Sequence, residues 1–315
     1  MTRMKLAAGA ALAAAAVATA VAGTAARATP PGPNGLIVYQ AKAGKHVQLF
    51  TVRPDGSGVR QLTRFGDSDA VHAAWSPDGR TIAFERDFAN RALVYTMSAA
   101  GGDLRPLTPK GLQGLPAYSP DGETIVFDRT LPTGDGLWSM NADGSGARQL
   151  THNRPAGRDE CRCDGSPVFS PDGKRIAFVR TITDLQTAVF AVDANGRGLK
   201  QLTSWRTGVS AKLDWSPDGS RLVVSSPQAE RPDVASNVIT LRPDGTGVQQ
   251  LTHETAPNVR DLADGFSPDG KKIIFARTID GGPFQVYVMN ADGTGVKQLT
   301  HGIDAHWASW GRAAR

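Results

Sequence analysis

Apolar and polar positions alternate along this chain with a short period. "TIAFER" from Thr81, "LVYTM" from Leu93 and "HAAW" from His72 place β-branched and aromatic residues at close alternation between Gly, Pro and Asp clusters. That is the pattern of short strands joined by tight turns. Outside the first 28 residues no segment sustains a helical period. The pattern predicts an all-β chain.

The strands recur in one order. "SPDG" stands at Ser76, Ser119, Ser170, Ser216 and Ser267, each behind an aromatic: Trp75, Tyr118, Phe169, Trp215 and Phe266. A second phrase, "QLT" or "PLT", places Leu62, Leu107, Leu150, Leu202, Leu251 and Leu299 at spacings of 43 to 52 residues. A glycine turn such as "DGSG" at Asp55 precedes each. Four short strands per unit of this length predict a β-propeller blade. The expected fold is a six-bladed β-propeller with four antiparallel strands per blade.

Turn chemistry explains the phrase. Pro77 presets φ for the second position of a type I turn, Asp78 tolerates the third, and Gly79 takes the left-handed conformation that follows. The preceding aromatic is expected to fill space between blades. At the N-terminus, "NGLIVYQ" from Asn34 matches a second strand, so one unit lacks its first. At the C-terminus, "HWASWGR" from His306 is a surplus strand with Trp310-Gly311 where other copies read Trp-Ser. The C-terminal strand is therefore expected to join the N-terminal blade and close the ring, removing exposed edges.

"WSPDG…IAF…VYTM…DG…QLT" resembles the WD-like repeats of TolB-like propellers, over about Asn34 to Arg315. The resemblance implies a six-bladed propeller, usually exported and commonly used to bind a partner. The expectation is a chain without the α/β domain that precedes the propeller in TolB, and without the hydrolase domain that follows related repeats in prolyl-oligopeptidase-like enzymes.

The first residues have a different character. Arg3 and Lys5 precede an uncharged Ala-rich run from Leu6 to Ala26, and Ala26-Arg27-Ala28 is a small-x-small cleavage site. We read residues 1–28 as a signal peptide, 29–33 as a short linker and 34–315 as the propeller. Export to the periplasm or the medium follows. The leader takes three of the 35 basic and none of the 30 acidic residues, so the mature chain is nearly neutral. That composition argues against nucleic-acid binding, and no second long apolar run predicts a transmembrane segment. A monomer is expected. Cys161 and Cys163 are the two cysteines; a disulfide staple is the first reading and half of a metal site the second.

First-strand starts should face the central channel. Asp69, His72, Asp164, Lys212, Asp261, Asp264, Asp304 and His306 lie at or just before them, a charged channel mouth that either stays wet or holds Ca²⁺ or another divalent cation. Arg86, Arg129, Arg180 and Arg277 share one position ending the second strand; pairing with carboxylates of the neighbouring blade is expected. His152, His253 and His301 each follow "LT" and are read as a duplicated structural residue. Among the loops, the longest is centred on Arg158, Asp159, Glu160 and Arg162, on the face opposite the SPDG turns, and variable loops on a rigid scaffold are where binding resides. There is no G-x-S-x-G, no H-E-x-x-H and no phosphate-binding glycine loop. The expectation is a non-catalytic scaffold that binds a cell-envelope or extracellular protein or glycan through that loop face. The alternative is a carbohydrate-active lyase or hydrolase with a metal at the channel mouth.

Overall fold

A computed structural model describes residues 32–131, 135–153, 163–183, 186–209, 212–226 and 235–314. Twenty-four strands account for almost all regular structure among them, with one short 3₁₀ turn at Trp205–Thr207. In chain order the strands are β1 (Asn34–Ala43), β2 (His46–Val52), β3 (Arg60–Gln61), β4 (Asp69–Trp75), β5 (Thr81–Phe88), β6 (Arg91–Ser98), β7 (Arg105–Pro106) and β8 (Leu112–Tyr118). Then come β9 (Thr124–Thr130), β10 (Gly136–Asn141), β11 (Arg148–Gln149), β12 (Cys163–Phe169), β13 (Arg175–Thr183), β14 (Gln186–Asp193), β15 (Lys200–Gln201) and β16 (Asp214–Trp215). The last are β17 (Leu222–Ser226), β18 (Asn237–Leu241), β19 (Gln249–Gln250), β20 (Val259–Phe266), β21 (Lys272–Ile279), β22 (Gln285–Asn290), β23 (Lys297–Gln298) and β24 (Ala305–Arg312).

Hydrogen bonding groups these strands into four four-stranded sheets and one eight-stranded sheet. This departs from the expectation of six separate sheets. The eight-stranded sheet is two antiparallel runs, β4 to β7 and β8 to β11, joined by one parallel pair, Ala92 with Leu112. The Ala92 amide donates to the Gly111 carbonyl at 3.1 Å; a short connection at "TPKGL" brings the start of β8 beside β6. As expected, β24 pairs with β1, Ile37 opposite Trp310, so both chain ends share one sheet.

Burial on both faces of a sheet follows from neighbours on both sides. In β5, Ile82 and Phe84 enter a cluster with Val38 and Leu49, whereas Ala83 between them enters one with Ile125 and Phe127. The β13 strand repeats this, with Ile176 and Phe178 on one side, Ala177 and Val179 on the other. Six apolar clusters result, and each holds one turn aromatic or Trp310. The aromatics therefore pack between sheets, as expected.

Two belts of backbone contact tie neighbouring units. In the SPDG belt, the Ser76 hydroxyl donates to Asp78 at 2.6 Å, the Asp78 carboxylate accepts the Arg80 amide at 3.0 Å, and Gly79 has φ of +70°. Each proline then lies against the glycine of the next copy: Pro77 beside Gly122, Pro120 beside Gly173, Pro171 beside Gly219, Pro217 beside Gly270. In the outer belt, the leucine of "LT" abuts the glycine turn of the next unit, as Leu62 does Gly101. A base reinforces it: Arg60 donates to the Ala100 carbonyl at 2.8 Å and Lys297 to that of Asp55 at 3.0 Å. The threonine of the phrase accepts a third-strand amide, Leu49 to Thr63 at 2.9 Å and Val286 to Thr300 at 2.9 Å. Fourth strands of two residues, flanked by charge, leave little edge to pair with another chain.

Candidate functional site: the central funnel

Five of the inner strands, all but the two-residue β16, break register, and this shapes the channel. In β4, β8, β12 and β24 the ladder breaks, and His72, Leu115, Ser166 and Trp307 take positive φ of 49° to 53°. A bulge re-aims the side chain it carries. All four line a cavity of about 290 Å³, together with Lys212 and Asp264 from the remaining inner positions. This lies near the lower end of small-ligand pockets, roughly 300–1,000 Å³. Its mouth is ringed by Pro77, Pro120, Pro171, Pro217 and Pro268, with Arg312 in the sixth place. The funnel thus opens among the SPDG turns, not on the opposite face where function was expected. The prolines presented there for turn geometry also make its apolar rim.

Charge gathers at the floor. Lys212 Nζ lies 3.3 Å from Asp264 Oδ1 and donates to the Ala308 carbonyl, so one lysine reaches β20 and β24. Burial pushes the Asp264 carboxyl above its usual range, with Lys212 opposing the shift. Asp264 Oδ2 and Ser166 Oγ are buried without a hydrogen-bond partner. Trp307 sits 4.4 Å from the His72 ring, and His72 Nδ1 pairs with Glu85 at 2.7 Å. Behind the wall, burial pushes Asp214 up to about 6 although it accepts the Phe266 and Trp215 amides. Burial, with Glu85 adding repulsion, pushes Asp128 up to about 7. Gln40 Nε2 donates to His306 Nε2 at 3.1 Å, and burial pushes the His306 ring below the usual histidine value.

Of the residues expected at the channel, His72, Lys212, Asp264 and His306 come together here. The others separate. Asp164 is clamped by Arg180 at 2.6 and 2.8 Å and also accepts from Thr151 at 2.7 Å. Arg277 grips Asp261 at 2.6 and 2.7 Å. Both arginines pair first within their own sheet, across β12–β13 and β20–β21; Arg277 also meets Glu254, in the connection from the neighbouring sheet, at 2.7 Å, as expected of these arginines. Asp69 accepts from His46 and the Val47 amide, and the half-exposed Asp304 accepts the Phe284 amide. His152, His253 and His301 are exposed. Among the described residues no three His, Cys, Asp or Glu side chains group to hold a metal ion, the divalent cation of the alternative reading included. Cys163 is disulfide-bonded. Arg158, Asp159, Glu160, Cys161 and Arg162 lie outside the described residues, as does the signal-peptide segment.

Sequence reasoning missed Ser166, Trp307, Leu115 and Glu85. A register signal existed: His72, Leu115, Ser166, Lys212 and Trp307 each stand three residues before the aromatic of their turn, and Asp264 stands two before Phe266.

Comparison with known proteins agrees with this architecture. A family model described as the TolB beta propeller domain matches residues 6–160 and 160–310. A curated TolB homolog from Chlorobium luteolum is 29% identical over 126 residues, 40% of this chain and 26% of that protein, so the match spans about a quarter of its length. Among solved structures, TolB from Acinetobacter baumannii superposes with a TM-score of 0.72 at 21% identity, covering 89% of this chain and 67% of that one. A putative TolB from Agrobacterium tumefaciens gives 0.64 at 17% identity, covering 89% and 100%. An oligogalacturonate lyase in complex with manganese gives 0.53 at 15%, covering 83% and 72%. At these identities the solved structures speak for the fold alone. No helix among the described residues is long and apolar enough to cross a membrane.

Proposed function

The chain belongs to the TolB β-propeller domain family, and from that premise we propose an exported, non-catalytic binding scaffold whose central funnel takes an extended peptide segment of a cell-envelope or extracellular protein. In this reading the eight-stranded sheet is two blades bridged by one pair, and the propeller has six blades. The signal-peptide pattern of residues 1–28 supports export.

One observation carries the choice of site. Asp264 Oδ2 and Ser166 Oγ line the funnel and lack partners among the protein's own groups. A buried acceptor left unpaired is unfavourable by about 1–3 kcal/mol, which a donor from a ligand recovers. The rim of prolines and the Trp307 ring supply apolar surface for side chains flanking that donor. A peptide offers both, with backbone or side-chain N–H groups at its tip.

The lyase alternative needs a metal at the channel mouth, and among the described residues no three His, Cys, Asp or Glu side chains group to hold one. The scaffold reading is tested by selecting peptides from a random display library on the mature protein. Selected peptides should lose binding to Asp264→Asn and to Ala74→Trp, which fills the funnel. Peptides that bind both folded variants as well as the parent would reject the funnel.

A further inference from the structure

Arg86, Arg129, Arg180 and Arg277 occupy one register position in their sheets, which allows an internal comparison. The residues paired with them on the first strand are Ala70, Gln113, Asp164 and Asp261. Where the partner is an acid, the guanidinium grips it through two short hydrogen bonds. Where it is alanine, Arg86 turns to Asp67 at 3.0 Å and Ser68 at 2.9 Å, with its guanidinium 3.9 Å over the Phe65 ring.

Arg129 has neither solution. Its cross-strand partner Gln113 donates to the Lys110 carbonyl at 2.6 Å and leaves Oε1 buried without a partner. Arg129 Nε is likewise buried and unpartnered, and so is Trp138 Nε1, whose ring carries the guanidinium at 4.7 Å. No ion pair to Arg129 exists among the described residues. Three unsatisfied polar atoms at one site stand against the satisfied equivalents at Arg180, one unit on, and Arg277, three units on, and such orphans are uncommon in folded proteins.

We propose that Arg129 is a receptor for a carboxylate delivered from outside, and that its source is an acidic peptide side chain. The planar fork of a guanidinium matches a carboxylate with two parallel hydrogen bonds, the geometry the chain itself builds at Asp164 and Asp261. The Trp138 ring, 4.7 Å from the guanidinium carbon, restrains the fork, so less rotamer freedom is lost on binding. Arg129 is only partly exposed and its Nε is buried, so the acid must arrive on a flexible stem, as in glutamate, rather than directly on a sugar ring. This site lies at the end of β9 away from the SPDG turns, hence at the opposite end of the channel from the funnel, and stands independently of it.

The test follows the Trp138 indole N–H by NMR, assigned with Trp138→Phe, during titration with N-acetylglutamate N-methylamide. The resonance should move saturably with this probe and stay put with the glutamine analogue. Gln113→Asp supplies the missing internal acid: it should raise the melting temperature and weaken the probe at least about tenfold, the value of one charge-assisted hydrogen bond. Binding undiminished in Gln113→Asp, or an unmoved indole in the parent protein, overturns the receptor. Glucuronate binding in place of the glutamate probe overturns the assignment to peptide.

Discussion

Replacing Lys212 with methionine removes one charge and keeps most of the side-chain volume. The lysine lies 3.3 Å from an Asp264 side chain that is only 3% exposed. At that distance and an effective dielectric of about 20, unit charges attract by about 5 kcal/mol. Desolvation offsets part of this in the intact pair, but breaking a buried pair leaves the remaining charge uncompensated, at about 3–5 kcal/mol. Asp264 then keeps a hydrogen bond from the Ala308 amide, while its Oδ2 stays unpartnered. For a domain of this size the loss corresponds to roughly 10 °C in melting temperature. The pH dependence has a definite sign. Burial already raises the Asp264 carboxyl above its unfolded value, and losing the lysine raises it further. A carboxyl raised on folding contributes stability that is fully present below the unfolded value, about 3.9, and is lost as pH rises through the folded one. The cost of Lys212→Met should therefore be small near pH 4 and largest at pH 7 and above. Urea denaturation at both pH values measures it, and adding Asp264→Asn should recover most of the loss. A cost below about 1 kcal/mol at neutral pH, or one unchanged with pH, refutes the reasoning.

Other consequences are reached more directly. Ser216→Ala should cost about 0.5–1.5 kcal/mol, because the Ser216 hydroxyl donates to Asp218 at 2.6 Å and accepts the Arg221 amide at 2.9 Å. The Ser216 hydroxyl, then the Ser220 amide, holds the Asp218 carboxyl below its usual range; that stability is present above pH 3.9 or so and fades as pH falls through the folded value, so the Ser216→Ala deficit should shrink in acid denaturation. Gly311→Ala should destabilise by about 1–3 kcal/mol through overpacking, since a Cβ there would stand 2.6–2.8 Å from the Trp75 ring; a smaller ring in Trp75→Phe should soften the loss, and equal losses in both backgrounds would sink the account. Exported protein should begin at Thr29 by N-terminal sequencing; an intact leader on membrane-bound protein would contradict the cleavage reading.

The architecture was legible because its contacts repeat and are local. Ser76 to Gly79 form their turn from four consecutive residues, and the aromatic before them always enters a cluster between sheets. The "LT" phrase marks both a threonine closing the third strand and a leucine against the next glycine turn. The funnel was less legible for the opposite reason. Its floor is made of single residues brought together from β4, β12, β20, β24 and the chain just before β16, and no local pattern pairs Lys212 with Asp264 or Trp307 with His72. Loop length pointed to the face opposite the SPDG turns, whereas the funnel opens among those turns. Charge was misleading: Asp164 and Asp261 read as free channel acids, but arginines at matching register, Arg180 and Arg277, take them up. The separation of Arg129 from those two depends on Gln113, a single difference visible only once register is fixed.

The division between repeating and variable positions has an energetic basis. The belts join units mainly through backbone or glycine, with Pro77 against Gly122, Leu62 against Gly101 and Arg60 on the Ala100 carbonyl, so their geometry leaves little room for change. Bulge positions project into a cavity and are held chiefly by their own strand, so Leu115 or Ser166 can differ between units at little cost to assembly. Lys212 and Asp264 break this separation. They bind neighbouring strands together and also form the floor that a ligand would meet. A donor reaching Asp264 Oδ2 would relieve the same unsatisfied carboxylate that weakens the fold there, and anything that binds only the folded state stabilises it by mass action. Occupancy of the funnel and tightness of the seam between β20 and β24 should therefore rise together, whereas a ligand resting only on the proline rim would leave that seam unchanged.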